Sequence, residues 1–120
     1  MAAVGADDPR KQEIDAGALA HSRVVVDSLA ACAAGGDLHH AIRARLMTEQ
    51  DVHGELSAIV AGRLPGRASE GDVFVFDSTG TALQDVAAGV LVYERAAAAG
   101  AGTRVLLDDR GAARTAHETM

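Results

Sequence analysis

The stretch DVFVFDSTGTALQD, residues 72–85, decides the fold class. Val73 to Phe76 form a continuous apolar run, which is typical of a strand buried on both faces of a parallel sheet. A turn containing Gly80 follows, and residues 81–99 then carry apolar side chains at helical spacing. A buried strand that passes directly into a long helix predicts an α/β protein.

The rest of the chain repeats this alternation of strand and helix. The run RVVVD, residues 23–27, predicts a second buried strand. Ser28 is placed to cap a helix that continues through the alanines to Gly35. A shorter strand is expected in AAV, residues 2–4, and another in residues 103–107.

Helical periodicity predicts three further helices between these strands. Residues 13–20 favour a short helix, and a longer one begins at Asp37. A third is expected from about Thr48 to Gly62. Residues 64–71 contain a Pro-Gly pair and predict a loop. For the long helix after residue 81, the spacing places five residues on a buried side: Leu83, Val86, Val90, Leu91 and Tyr93.

The composition predicts a thin hydrophobic core. Apolar residues make up 48% of the 120 residues, but many of them are alanine, which buries little area. The chain has two Phe, one Tyr and no Trp. A chain of this length is one domain at most or a piece of a larger one, and we expect it to lean on a further domain or a partner subunit.

Charge and cysteine usage exclude several classes of protein. A net charge of −6 argues against a nucleic-acid partner, which needs a basic surface. The chain has no apolar run of membrane-spanning length and no signal-peptide pattern at its start. The single cysteine, Cys32, cannot form an internal disulfide, and its alanine-rich surroundings predict a small buried hydrophobe. These features predict a soluble cytoplasmic protein without membrane or nucleic-acid partners.

The turn after the strand at 73–76 is one candidate site. Ligands of α/β sheets bind beyond the carboxyl ends of the strands, and Ser78 and Thr79 stand at such an end. Gly80 allows close approach of the backbone, and the amides of the following helix point at whatever is bound. A Ser or Thr before a helix is more often a simple N-cap, and the residues alone favour that interpretation.

The loop after residue 4 is a second candidate site. Asp7 and Asp8 follow the first strand, and Lys11 lies close by in the sequence. A carboxylate here can act as a general acid or base while the lysine holds a phosphate or carboxylate. The alternative is a solvated polar turn, which the residues alone favour.

Two other kinds of site find little support. Adjacent residues on a helix point about 100° apart, so His39 and His40 cannot both ligate one metal ion, and His53 has no supporting spacing. We therefore expect no metal site. The chain also contains no GxGxxG, so it lacks the loop that holds a dinucleotide pyrophosphate.

Taken together, these segments resemble the ornithine cyclodeaminase and mu-crystallin family. The order and spacing match along about the first hundred residues, and only the tail after Gly102 is outside the resemblance. The resemblance is to the C-terminal portion of the family members, which carry the glycine-rich cofactor loop and a substrate-binding and dimerisation domain upstream. Five segments carry it: VGADDPRKQEID (4–15), RVVVDSLAAC (23–32), GDLHHAI (36–42), VHGELSAIVAGRLPGR (52–67) and VFVFDSTGTALQDVAAGVLVYERA (73–96).

The resemblance implies a partial Rossmann-type domain that binds NAD or NADP, in a protein that forms a homodimer. Residues 1–80 would be the C-terminal part of that domain, residues 81–102 a helix packing on the dimerisation domain, and residues 103–120 a tail. The family's reaction transfers a hydride between a small amino acid, or its imine, and the nicotinamide cofactor. Members include ornithine cyclodeaminases, alanine dehydrogenases and ketimine reductases. The resemblance leaves the substrate and the choice between NAD and NADP open.

The resemblance also assigns roles to single residues. Asp7 matches the family's acid/base aspartate in the pattern D-x-P-G-K-x-E-L, and Lys11 matches the lysine near the cofactor. Ser78 matches the serine that approaches the nicotinamide, and Thr79 the variable neighbour on the substrate side. Arg10 stands where the pattern has glycine, so a positive φ there would strain the turn by about 1 kcal/mol or more.

Two hypotheses follow for function. The chain belongs to an enzyme that acts on an amino acid or its imine by hydride transfer, with little or no activity as an isolated chain. Alternatively, it is a non-catalytic interaction module similar to mu-crystallin, or an inactive remnant.

Overall fold

A computed structural model describes residues 1–103 and 105, and its architecture is α/β, as predicted. The chain divides into two compact units, Met1–Gln84 and Asp85–Met120. Four strands lie in the described residues: β1 (Ala2–Ala3), β2 (Arg23–Val26), β3 (Gly54–Glu55) and β4 (Phe74–Asp77). The same part of the chain contains five α-helices: α1 (Ala16–Ala20), α2 (Leu29–Gly35), α3 (Asp37–Arg43), α4 (Leu56–Val60) and α5 (Ala82–Ala98).

The strands form one parallel sheet in the order β1-β4-β2-β3. β4 is central: Asp77 is in register with Ala3 of β1 on one side and with Val26 of β2 on the other. Because all the strands run in the same direction, their carboxyl ends lie at one edge of the sheet. The segments that follow β1, β2 and β4 therefore leave the sheet side by side.

The hydrophobic core lies on one face of this sheet. Val24, Val26 and Val75 are buried there against helical residues such as Leu19 and Leu38. Cys32 is fully buried in the same cluster, as predicted, and burial raises the pKa of its thiol to about 12. A thiol in this state is inert as a nucleophile. The prediction of a small buried hydrophobe at this position is confirmed.

The opposite face of the sheet is only partly covered. Phe74 and Phe76 of β4 are half-buried, whereas Val25 of β2 is almost fully buried. Together with Leu56 and Ile59 of α4 they line a cavity of about 250 Å³. The two faces of the sheet are thus unequal: one carries the core, and the other carries a short helix and an apolar cavity.

Side-chain caps fix the starts of the first two helices. Asp15 accepts hydrogen bonds from the amides of Gly17 and Ala18, so α1 begins after it rather than at residue 13. Ser28 Oγ accepts from the Ala31 amide, 3.5 Å away, and caps α2 as predicted. The helix predicted from Asp37 is confirmed as α3.

The single helix predicted from Thr48 to Gly62 is wrong. Only Glu49–Asp51 form a turn of 3-10 helix there, and strand β3 separates this turn from α4. Two local features explain the break. The His53 amide donates to the Val24 carbonyl, 2.8 Å away, which draws this segment into the sheet. Gly54 then has φ 150°, which lies outside the helical region. Residues with a side chain disfavour this conformation, and glycine accepts it.

The long helix after the turn is confirmed as α5, but its predicted buried side is wrong. Its large apolar residues are exposed along the helix, including Leu83 at 77% and Tyr93 at 71%. A helix buries its apolar stripe only where a second element packs against that stripe. In the described part of the chain, no helix has the length and hydrophobicity needed to cross a membrane. The strand predicted at 103–107 falls mostly outside the described residues.

Candidate functional site

The loop after β1 brings two of the predicted site residues together. Lys11 Nζ donates a hydrogen bond to Asp7 Oδ1 across 2.5 Å, and both side chains are exposed. The hydrogen bond and charge of Lys11 lower the pKa of Asp7, and Asp7 in turn raises the pKa of Lys11. Both groups are therefore charged at neutral pH. Asp7 is then a proton acceptor, and Lys11 offers its remaining N–H donors to a ligand.

Neighbouring side chains hold this loop in shape. Glu13 accepts a hydrogen bond from the Gly5 amide at 2.7 Å, and His40 Nε2 lies 2.7 Å from the Lys11 carbonyl oxygen. Asp8 accepts two hydrogen bonds from the Arg10 side chain, at 2.8 and 2.9 Å. The strain considered for Arg10 is absent, because Arg45 is the one non-glycine residue with positive φ in the described part of the chain.

The turn after β4 does not cap the following helix. Ser78 Oγ donates to Asp27 Oδ2 at 2.7 Å, and the helix begins only at Ala82. The N-cap interpretation of Ser78 is therefore wrong. Ser78 is 6% exposed, whereas its neighbour Thr79 is half-buried. Gly80, with φ 79°, turns its amide back to the same Asp27 oxygen at 2.9 Å.

Asp27 is a central residue of the site that the sequence did not single out. Its second oxygen, Oδ1, accepts from the Ser28 amide at 2.7 Å and from Cys32 Sγ at 3.3 Å. Burial raises the pKa of Asp27, but the hydrogen bonds from Ser78, Cys32, Ser28 and Gly80 together outweigh it and lower the pKa. The signal for Asp27 was its position directly after the buried strand β2, at the carboxyl edge.

Asp77 is a second residue that the sequence did not single out. It is fully buried, and its two oxygens accept from the amides of Asp37 at 3.2 Å and Leu38 at 2.8 Å, at the start of α3. Burial raises the pKa of Asp77, and the charges of Asp37 and Asp27 raise it further. Asp37 Oδ1 in turn accepts from the amides of Glu13 and Ile14, at 2.8 and 3.0 Å. This chain of contacts links β4 through α3 to the loop that carries Asp7.

The two candidate loops lie at neighbouring strand ends. The Ser78 amide donates to the Ala3 carbonyl at 2.9 Å, which continues the β1–β4 pairing up to the turn. The side-chain hydrogen bond between Asp7 and Lys11 stays within the first loop, and that of Ser78 goes to Asp27. The structure therefore assembles Asp7 with Lys11, and Ser78 with Asp27, as two pairs on adjacent loops.

The histidines have structural partners. Rings of His39, His40 and His53 lie within 2.7–3.0 Å of the carbonyl oxygens of Ala33, Lys11 and Pro65, respectively. Within residues 1–103 and 105, no three His, Cys, Asp or Glu side chains are grouped so that they could hold a metal ion.

A sequence model of the ornithine cyclodeaminase/mu-crystallin family matches residues 1–100. The chain belongs to this family. The predicted resemblance is thereby confirmed over the segments that carry the two loops.

Relatives of known activity match the same region. The iminosuccinate reductase of Paracoccus denitrificans is 44% identical over 96 residues, which are 80% of this chain and 29% of the relative. An archaeal alanine dehydrogenase dimer with bound NAD superposes with a TM-score of 0.77 at 37% identity, over 89% of this chain and 33% of that chain. The Δ1-pyrroline-2-carboxylate reductase of Thermococcus litoralis, in complex with NADH and L-proline, gives a TM-score of 0.78 at 31% identity, over 87% and 32%.

These comparisons confirm the predicted fold class, and they show how much of the related proteins this chain represents. The α/β unit matches part of NAD-binding structures, and the chain spans about a third of the length of the relatives it matches. The relatives act on different small amino acids or imines, so the matched third does not by itself specify a substrate.

Proposed function

We propose that this chain forms one wall of the cofactor and substrate cleft of an NAD(P)-dependent enzyme that transfers a hydride to or from the Cα of an amino acid or imine. The observation that carries the proposal is the carboxyl edge of the sheet. There, the charged pair Asp7–Lys11 and the Ser78–Thr79 turn leave adjacent strands. The archaeal alanine dehydrogenase and the Thermococcus litoralis reductase, which share this unit, were solved with NAD and NADH bound, respectively.

In this proposal Asp7 moves the proton that accompanies the hydride. Oxidation of an amine removes a hydride from Cα and a proton from nitrogen, and reduction of the imine returns both. The hydrogen bond from Lys11 lowers the pKa of Asp7 and keeps it ionised, so Asp7 has a free lone pair to accept the proton in the oxidative direction. In the reductive direction it hands the proton back. The cofactor, when bound, supplies or receives the hydride.

The remaining site residues bind and orient. Lys11, with a raised pKa, keeps its positive charge for an anionic group of the cofactor and also holds Asp7 in place. Ser78 borders the nicotinamide, and Thr79, half-buried between Ser78 and Gly80, faces the substrate. Because the family resemblance matches Thr79 to a variable position on the substrate side, we assign it to substrate selection.

We also propose the domain arrangement that the family resemblance implies. Residues 1–80 supply the C-terminal part of a Rossmann-type domain, residues 81–102 pack on a dimerisation domain, and residues 103–120 form a tail. The whole protein would form a homodimer and would be located in the cytoplasm. The exposed apolar side chains of α5 and the dimeric alanine dehydrogenase support the association, and the lone buried thiol of Cys32 fits a reducing compartment.

The proposal is tested in a chimera of the archaeal alanine dehydrogenase whose matching segment is replaced by residues 1–100 of this chain. We expect alanine-dependent reduction of NAD⁺, measured as NADH absorbance. Asp7→Asn should lower kcat by roughly 100-fold or more, because the general base is lost. Asp8→Asn is the matched control: it removes the same charge one residue away, where the carboxylate binds Arg10. Equal losses for the two variants would sink the assignment of Asp7.

The isolated chain should show little or no activity, because it lacks the glycine loop that holds the pyrophosphate. Isothermal titration with NADH should find binding weaker than micromolar. Micromolar binding by the purified chain would overturn this part of the proposal.

A non-catalytic interaction module is the second candidate. The observation that favours it is the apolar stripe of α5, where Val86 is 61% exposed and Val90 50% exposed. A chimera that folds and binds NAD⁺ but does not turn over would favour this candidate over the enzyme.

A further inference from the structure

Asp27 connects more of the candidate site than any residue assigned to it so far. It lies at the carboxyl end of β2, and through Oδ2 it holds both Ser78 Oγ at 2.7 Å and the Gly80 amide at 2.9 Å. These two partners are the first and last residues of the turn after β4. The Asp27 carboxylate thereby connects the end of β2 to the turn after β4, although Ser78 is 51 residues further along the sequence. With φ 79° at Gly80, the turn closes around this oxygen.

This contact fixes which way the Ser78 hydroxyl donates. An ionised carboxylate has no hydrogen to give, so Ser78 must supply the hydrogen in the 2.7 Å bond. The hydrogen bonds that lower the pKa of Asp27 keep it ionised at neutral pH. A serine hydroxyl has one hydrogen and two acceptor lone pairs. The Gly80 amide approaches one of these from 3.3 Å, and a second is left.

We propose that Asp27 is a positioning residue, which locks the turn at 78–80 and leaves Ser78 Oγ able only to accept a hydrogen bond from an N–H group of the ligand. The identity of that ligand rests on the proposed function. Two groups in the proposed cleft offer such an N–H donor. One is the carboxamide of the cofactor's nicotinamide, and the other is the amino group of the substrate. An acceptor-only group, such as a carboxylate, is disfavoured at this position by the lone pair it would meet and by the nearby charge of Asp27.

The positioning role is tested by NMR on the full chain, without any ligand. In the unmodified protein the chemical shift of the Gly80 amide proton should lie downfield. This chemical shift should change when Asp27 is protonated, and the pH of that change should be below the ordinary carboxyl pKa of 3.8. Asp27→Asn should move the Gly80 signal upfield and abolish that titration. Cys32→Ala is the matched control, because it removes a partner of the other Asp27 oxygen and leaves Ser78 and Gly80 in place. It should keep both the shift and the titration.

Several outcomes would overturn the positioning role. A Gly80 signal that ignores the protonation of Asp27, or that moves equally in Asp27→Asn and Cys32→Ala, means that the carboxylate does not hold the turn. The titration of the unmodified chain needs no substitution, so it decides the question even if Asp27→Asn fails to fold.

The acceptor role of Ser78 is tested by adding three probes at millimolar concentration to the labelled alanine dehydrogenase chimera that carries residues 1–100, because the isolated chain lacks the loop that holds the pyrophosphate. NAD⁺ offers a carboxamide N–H, its 3-acetylpyridine analogue has a methyl ketone in that place, and L-alanine offers an ammonium group. If the carboxamide is the source, Ser78→Ala should weaken NAD⁺ about fivefold and leave the analogue unchanged. If the substrate amine is the source, Ser78→Ala should weaken L-alanine instead.

The remaining results separate the two proposals. Equal weakening of NAD⁺ and its analogue, with no effect on L-alanine, overturns the acceptor role while the proposed function stands. Absence of any change at Ser78 or Gly80 with all three probes overturns both the acceptor role and the assignment of this turn to the cleft. The Gly80 titration still decides the role of Asp27 in that case.

Discussion

At the scale of single residues, Arg45 is the position where the backbone is most clearly strained. It follows the C-terminus of α3 with φ 59°, in the left-handed region. The Leu46 amide donates to the Ala41 carbonyl at 3.0 Å, and the Arg45 amide donates to the Ile42 carbonyl at 2.9 Å. These are the two hydrogen bonds of a Schellman cap, whose left-handed residue is usually glycine. Arg45 therefore occupies a position where a side chain costs roughly 1 kcal/mol.

Replacing this arginine by glycine should stabilise the protein. We expect Arg45→Gly to raise the free energy of unfolding by about 0.5–1 kcal/mol, because the relief of left-handed strain exceeds the entropy that glycine gains in the unfolded chain. Urea denaturation followed by circular dichroism measures the change. Arg43→Gly, inside the last turn of α3, is the control and should destabilise by up to about 1 kcal/mol. A loss of stability in both variants would refute the strain at residue 45.

The same scale shows what a sequence can reveal about a site. Asp7 and Lys11 are four residues apart on one loop, so their pairing follows from local sequence. The partner of Ser78 could not be found in that way. Asp27 is 51 residues distant, and it meets Ser78 only because β2 and β4 pair in parallel. The residue pattern alone favoured an N-cap for Ser78, since the strand order that brings Asp27 to it is not encoded locally.

At the scale of elements, the junction between α2 and α3 is built around a carboxylate from the sheet. Asp77, at the end of β4, takes the amides of Asp37 and Leu38 that begin α3. Gly36 lies between the two helices, and a Cβ at this residue would meet the Asp77 carboxylate oxygens at 2.7 and 2.8 Å. Its φ of −86° is open to any residue, so the close approach of Asp77 is what requires glycine here.

Two adjacent glycines at this junction should respond differently to a methyl group. We expect Gly36→Ala to lower the free energy of unfolding by about 1–3 kcal/mol, because it forces Asp77 away from the start of α3. Gly35→Ala is the matched control: its Cβ would meet Asp7 and Pro9 only at 3.7 Å, an ordinary contact. Its cost should be small. Thermal unfolding of the two variants gives the comparison, and similar melting temperatures would contradict the role given to Asp77.

Elements were predicted well where the pattern was strong and poorly where tertiary contacts override it. The run before Asp77 and the long helix after it were found within one or two residues of their observed bounds. The segment from Thr48 to Gly62 was taken for one helix because its apolar residues recur at helical spacing. This segment pairs with β2 through His53 and Gly54, and that pairing interrupts the helix. A strand of only two residues has no sequence pattern from which it could be predicted.

At the scale of the whole molecule, apolar surface is left uncovered on α5. Leu83, Val86, Val90 and Tyr93 recur at spacings of three and four residues, which places them on one face of the helix. All four are at least half exposed. A contiguous apolar stripe of this kind marks an interaction surface. We propose that in the chain taken by itself a second copy covers this stripe, which would otherwise pack on the proposed dimerisation domain.

Self-association through this stripe should be visible in solution. We expect the sedimentation coefficient of the full chain to rise with concentration, as in a reversible dimer. Val86→Glu should weaken that association at least about tenfold, because an unpaired carboxylate is buried at the interface at a cost of several kcal/mol.

Gln84→Glu adds the same charge to an exposed position on another side of the helix, and it should leave the association nearly unchanged. The pair separates burial of the stripe from general repulsion in a chain of net charge −6. If the unmodified chain stays monomeric at all concentrations, the stripe is not a surface for self-association. If both variants dissociate equally, charge rather than apolar contact governs the equilibrium.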